Sequence, residues 1–218
     1  MLEAILNLIF PPKCPGCGSY VEHNGYWCDA CTEKFLRPHR LPLEPELASI
    51  FTGGIWCLGD YDGSLKKLIA DMKFEGKQRA IKALQFFTEA GWNKLDIQTI
   101  DVVTPVPLHQ QKLKQRGFNQ SELLFKYLFQ NSDTIFKDVL KRTRDTVPQF
   151  GLSHDARLEN VKGAFSFIDG AEKFIRNRNI LLVDDIFTTG ATFRECGKNL
   201  HKAGAGSITG LVLASGRK

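Results

Sequence analysis

The sequence predicts an α/β protein: a mostly parallel sheet flanked by helices, preceded by a small cysteine-rich N-terminal module. Three observations predict it. From about residue 50 onward, apolar runs of strand character alternate with stretches of helical spacing, the pattern of a parallel sheet covered on both faces. Four of the six cysteines fall within the first 31 residues as two C-x2-C pairs. Pro38, Pro42 and Pro45 then mark a linker, because proline interrupts both helices and ladders. The expected division is 1–45 for the small module and 46–218 for the main domain.

The N-terminal elements come first. Leu2, Ile5, Leu6 and Ile9 share one helical face, and Pro11-Pro12 stops that helix. Cys14 and Cys17, a ten-residue spacer, then Cys28 and Cys31 follow. A tight turn brings residues three apart into chelating distance, and Cys14-Pro-Gly-Cys17-Gly supplies the turn formers. Four thiolates around one tetrahedral ion leave no open position, so a structural zinc site is expected and catalysis there is not. The competing reading, two disulfides, conflicts with a cytosolic chain. Cys57 and Cys196 stand alone as small buried hydrophobes.

In the main domain, Ile55 to Tyr61 reads as a strand, and Leu65 to Met72 and Ile81 to Trp92 as helices. Ile100 to Val106 is a strand running into the rigid Pro105-Val-Pro107 loop. Ser121 to Phe129 reads as a helix with Ser121 as a cap. Phe165 to Ile168 and Asn179 to Val183 are apolar core strands, the latter ending at two acids. Gly190 to Ala203 is a helix stopped by Gly204, and Ser207 to Leu213 is a last strand.

Composition excludes other classes. With 218 residues, 43% of them hydrophobic and 24% charged, disorder, collagen and coiled coil are poor fits. No stretch reaches the ~18 consecutive apolar residues of a membrane span. Met1 to Phe10 carries Glu3 and Asn7 and lacks a basic leader. A cytoplasmic protein without a membrane span is therefore expected.

The chemistry centres on Ile180-Leu-Leu-Val-Asp184-Asp185-Ile-Phe187-Thr188-Thr189-Gly190-Ala191-Thr192. Ligands of open α/β sheets bind outside the carboxyl ends of strands. The small residues Thr188, Thr189, Gly190, Ala191 and Thr192 let backbone N–H groups approach an anion, and the helix behind adds positive potential. A carboxylate beside a phosphate would repel it, so Asp184 and Asp185 should face a neutral partner, for which a vicinal diol is the natural choice. Phosphate and diol together describe ribose 5-phosphate. A strand-end acidic pair that merely caps a helix is the bland alternative.

This run resembles the phosphoribosyl pyrophosphate (PRPP) signature of type I phosphoribosyltransferases. The resemblance implies a phosphoribosyltransferase-like fold, with Asp184 and Asp185 on the ribose 2- and 3-hydroxyls and residues 188–192 around the 5-phosphate. It also implies a pyrophosphate loop at Thr104-Pro105-Val106-Pro107-Leu108, and magnesium carried with PRPP mainly on the ligand's own oxygens. A narrower resemblance rests on Lys73-Phe-Glu-Gly76, Val106-Pro-Leu-His109, Arg116-Gly-Phe-Asn119-Gln120, Arg142, Arg144, Thr146, Gln149, Arg157, Asn160-Val161 and Gly163-Ala-Phe165, together with the four cysteines. These are similar to the ComF family of competence proteins over nearly the whole chain; Phe187 departs from a frequent Tyr. The ComF resemblance implies a role in natural transformation, in the uptake and processing of single-stranded DNA, beside a helicase-like protein and other DNA-processing partners.

Charge placement is compatible with this. Eight basic and three acidic residues lie between His109 and Arg144, equal to the whole +5 surplus. Such a cluster suits a polyanion, or else is a solvated face. Lys112, Lys114, Arg116, Phe118, Arg142 and Arg144 are the candidate single-stranded DNA contacts, with Tyr127 and Phe150 as further stacking platforms. The alternative is an active phosphoribosyltransferase acting on an unknown nitrogen nucleophile, with Lys73, Arg116, Arg142 and Arg144 neutralising the leaving group. No base and no acceptor pocket can be read.

Overall fold

The computed structural model describes residues 10–97, 99–144 and 154–216. The expected N-terminal helix bearing Leu2, Ile5, Leu6 and Ile9, the residues Thr146, Gln149 and Phe150, and the side chain of Arg157 lie outside the described residues.

A short helix α1 (Asp29–Phe35) closes the cysteine module and runs directly into strand β1 (Leu36–Arg40). Helix α2 (Pro45–Ile50), strand β2 (Ile55–Asp60) and the long helices α3 (Gly63–Glu75) and α4 (Gln78–Trp92) follow. Strand β3 (Val102–Pro105) precedes α5 (Gln110–Arg116) and α6 (Gln120–Phe125), which tightens into a 3-10 turn over Lys126–Phe129. Then come β4 (Ile135–Phe136), β5 (Leu140–Arg142), α7 (His154–Val161) and β6 (Phe165–Phe167). The chain ends on β7 (Asn179–Phe187), α8 (Ala191–Lys202) and β8 (Ser207–Ser215).

The main sheet has the order β1-β2-β8-β7-β3-β4. All its neighbours are parallel except β1, which joins β2 antiparallel at one edge. Pro38 is tolerated there because an edge strand has one side without a ladder. The proline-marked linker thus begins as a sheet strand. A second, two-stranded sheet pairs β5 with β6 antiparallel, so the expected core strand at Phe165 to Ile168 lies outside the main sheet.

Period-two alternation divides the core. Val103, Leu181, Val183, Leu211 and Leu213 face one apolar layer with Leu65, Ile69, Leu84, Phe87 and Leu124. Val102, Ile180, Leu182, Ile208 and Val212 face the other, with Leu47, Phe51, Phe193 and Leu200. Burial on both faces is why the central strands read as unbroken apolar runs. At Gly197 of α8 an added Cβ would lie 2.7 Å from Ile50 and 2.8 Å from Phe51, so only glycine permits this approach of α2 to α8.

The cysteine module docks on α3 and α4. Trp27 is buried, its rings 5.3 Å from Phe87 and 5.5 Å from Phe35, and its Nε1–H donates to the Ala83 carbonyl at 2.9 Å. Tyr26 stacks on Phe86 at 4.8 Å. Ser64 donates to the Gly16 carbonyl and Arg79 to that of Lys13. Among the described residues no helix is long and apolar enough to cross a membrane.

Candidate functional site

In the N-terminal module the sulfurs of Cys14, Cys17, Cys28 and Cys31 all lie within 4.8 Å of one another. A tetrahedral zinc with bonds of about 2.3 Å holds its sulfurs about 3.8 Å apart, and Cys17 and Cys28 stand at 3.6 Å. Backbone N–H groups of Gly16 and Cys28 point at Cys14 Sγ, both at 3.4 Å, as they do at a thiolate. The Ser19 hydroxyl brings the Cys17 thiol down to about 6. The donor set fits a structural zinc: all four ligands come from one short segment and none is left for substrate.

A second site opens at the carboxyl edge of the main sheet. Strand β3 stops at Pro105, opposite Val183, while β7 runs on to Phe187 with β8 still beside it. The strand therefore does not end before the acids, as the sequence suggested: Asp184 and Asp185 lie within β7, where its neighbour on the β3 side has gone. A crevice of about 350 Å³ fills that gap. Its walls are the 106–108 loop, the ends of α3 and α5, Arg142 of β5, and the turn from Phe187 to Thr192.

Both acids are buried and both have partners. Asp184 Oδ1 accepts from the Ser121 hydroxyl at 2.7 Å and from the Asp185 N–H at 2.8 Å. Burial, and then the neighbouring Asp185, push the Asp184 carboxyl up to about 7. Asp185 is ion-paired with Lys73, which reaches in from the last turn of α3. The Gln120 amide lies 3.5 Å from Asp185 Oδ1 and accepts from Arg116 at 2.6 Å. Arg116 is half-buried; desolvation pulls its pKa down while Asp185 works the other way.

The turn into α8 is built around a glycine. Gly190 adopts φ +82 at the N-cap, and a Cβ there would lie 2.8 Å from the Phe187 ring and 2.9 Å from Leu47. Helix α8 starts one residue later than expected, at Ala191. Thr188, Gly190, Ala191 and Thr192 line the crevice. Thr189 is buried and does not; its Oγ1 accepts weakly from the Ala191 N–H at 3.4 Å. Val106 lines the crevice and Pro105 does not.

The residues singled out for nucleic acid divide. Lys112, Arg116 and Arg142 join Lys73 in the crevice, so four cations share a wall with two acids. Arg142 also stacks over Phe165 at 5.4 Å. Lys114 is exposed outside the crevice. Arg144 donates to the carbonyls of Asn160 and Lys162. Phe118 packs partly against the core. Tyr127 turns its hydroxyl inward, bonded to Thr88 at 2.7 Å and to the Gln85 carbonyl, and burial pushes its pKa up.

Sequence reading missed Tyr61, Gln120 and Ser121. Tyr61 ends the β2 side of the crevice. Ser121 was expected to cap its helix, but the cap is Asn119, whose Oδ1 accepts from the Ser121 N–H at 3.0 Å. The Ser121 hydroxyl is thereby released to Asp184, 63 residues away. No local pattern announces such a pairing.

A double zinc ribbon domain profile matches residues 5–57. Competence protein F of Haemophilus influenzae is 30% identical over 90% of this chain and 82% of its own length. DNA utilization protein YhgH of Escherichia coli is 30% identical over 89% of this chain and 80% of its own. Competence protein ComFC of Bacillus subtilis is 25% identical over 70% and 60%. Among solved structures, the allosteric regulatory enzyme of purine biosynthesis aligns at 16% identity and a TM-score of 0.35, over 77% of this chain and 30% of that one, too low a score to bear on function.

Proposed function

The chain belongs to the competence protein F family, and from that premise we propose that it is a cytoplasmic factor for natural transformation. In this reading it handles incoming single-stranded DNA beside a helicase-like partner, and its crevice binds PRPP or ribose 5-phosphate. The observation that carries the ligand is the meeting, in one crevice, of an acid pair, a small-residue turn with a glycine at the helix N-cap and four cations. Asp184 and Asp185 accept the pentose diol. The turn at 188–192 holds the 5-phosphate through backbone N–H groups. The 106–108 loop, with Lys112, Arg116 and Arg142, faces the pyrophosphate, which brings magnesium on its own oxygens.

DNA binding in this reading uses the cations of the crevice rim with Lys114 and Arg144 beyond it. Held mainly by phosphate contacts, it weakens steeply with salt; tight binding that ignores salt would sink that half of the reading. The ligand half is tested by calorimetry of PRPP with magnesium. Wild type should give a saturable isotherm, and the Asp184→Ala, Asp185→Ala double variant none. A wild-type chain silent to both PRPP and ribose 5-phosphate ends the assignment.

One observation favours a second reading. Lys112, Arg116 and Arg142 line the crevice with the 106–108 loop, and if that loop holds pyrophosphate their charge suits transfer of the phosphoribosyl group to a nitrogen nucleophile through an oxocarbenium-like transition state. Pyrophosphate release on adding candidate bases separates turnover from binding alone.

A further inference from the structure

In the segment Arg116 to Ser121 the sequence suggests DNA contacts at Arg116 and Phe118 and a helix cap at Ser121, yet Asn119, Gln120 and Ser121 turn their side chains into the protein. Asn119 Nδ2 donates to the Val106 carbonyl at 3.0 Å, on the loop at the end of β3. Gln120 stands between Arg116 and Asp185. Ser121, with no exposed surface, donates to Asp184. Three consecutive residues thus touch, between them, the 106–108 loop and the acid pair of β7, which the proposed ligand would bridge.

We propose that Asn119, Gln120 and Ser121 are positioning residues that clasp the 106–108 loop to the acid pair, and that Ser121 in particular sets Asp184 to accept the pentose diol. The proposal rests on the pentose-phosphate reading of the crevice. Two donors on Asp184 Oδ1 fix the rotation of the carboxylate, which free rotation in an open crevice would not. A donated hydrogen bond also favours the charged form, the form that accepts from a diol. Without Ser121, Asp184 keeps the burial and the Asp185 charge that raise it and loses a hydrogen bond that opposes them. The other charged group acting on Asp184 is Lys73 from α3; the Cys196 thiol of α8 is itself raised, by burial and then by Asp184, and Arg116 of α5 feels Asp185.

The test uses the full chain and two probes, ribose 5-phosphate and 2-deoxyribose 5-phosphate, titrated between pH 5.5 and 8.5. Wild type should prefer ribose, and the ratio of the two affinities, in which the probes' shared phosphate ionisation cancels, should rise through a midpoint near Asp184's own. Ser121→Ala should lose about tenfold for ribose 5-phosphate, the equivalent of ~1.4 kcal/mol. It should lose less for the deoxy sugar, so the ratio falls toward one, and its midpoint should move to higher pH. Ser121→Cys, nearly isosteric and a weaker donor, should shift both readouts the same way by less, and it serves if the alanine variant does not fold. A folded Ser121→Ala or Ser121→Cys with the wild-type ratio and midpoint overturns the positioning role and leaves the crevice reading standing. Equal loss of both sugars also overturns it, as a scaffold effect. A wild-type chain that binds neither sugar overturns both readings.

Discussion

The two sites of this chain are built in opposite ways. The zinc module gathers its four ligands from 18 consecutive residues, Cys14 to Cys31, so that sequence spacing alone does the chelating. The crevice gathers its side chains from the end of β2, α3, α5, α6, β5, β7 and α8, and of its paired side chains only the adjacent acids and Arg116 with Gln120, four residues apart, are set by local geometry. A local site survives almost any fold around it. An assembled one exists only once the sheet has formed, because its parts meet at a strand end that β3 has left uncovered.

Three experiments would break or sharpen that contrast. Removing zinc with a strong chelator should have the largest effect, since a structural zinc contributes on the order of 10 kcal/mol to such a module. Calorimetry should then show the melting temperature falling by roughly 10 °C or more, and zinc analysis should find one ion per chain in the untreated protein. A chain whose melting is indifferent to metal would make the module an appendage.

Trp27→Ala comes next. It deletes a buried indole that packs on Phe87 and bonds the Ala83 carbonyl, which should cost about 3–5 kcal/mol by chemical denaturation. Zinc content should be unchanged, because no ligand is touched. A loss of metal together with stability would show that the local site does depend on the assembled domain.

The smallest effect concerns Asp184. Its folded carboxyl stands near 7, above an unfolded value of about 3.9, because of burial and Asp185. The folded state therefore binds the extra proton, and stability falls as pH rises from about 4 to 7. Asp184→Asn removes that dependence and keeps an acceptor for Ser121. Its melting temperature should exceed wild type by a few degrees at pH 8 and by less at pH 5. An equal difference at both pH values would mean that Asp184 is not held up by burial.

Legibility followed the same divide. The four cysteines, the apolar strand at Ile180 to Val183 and the small-residue turn after it were readable because each is a contiguous pattern. Three of the residues expected to contact DNA, Lys112, Arg116 and Arg142, also line the crevice with the acids, because α5 and β5 come together beside the 106–108 loop. The order of the chain carries no sign of that meeting. Ser121 shows the limit most plainly: the same sequence that suggests a cap yields a brace, because Asn119 two residues earlier takes the cap.

The order of residues alone determined where the four metal-ligating cysteines gather, where helices and strands alternate, and where a small-residue turn follows a buried strand, since these depend on spacing within one element. Only the tertiary structure decided how far β7 runs, which cations face the acids, and what satisfies each carboxylate. Those are contacts between segments distant in the chain, and their geometry is set by which strand stops first at the edge of the sheet.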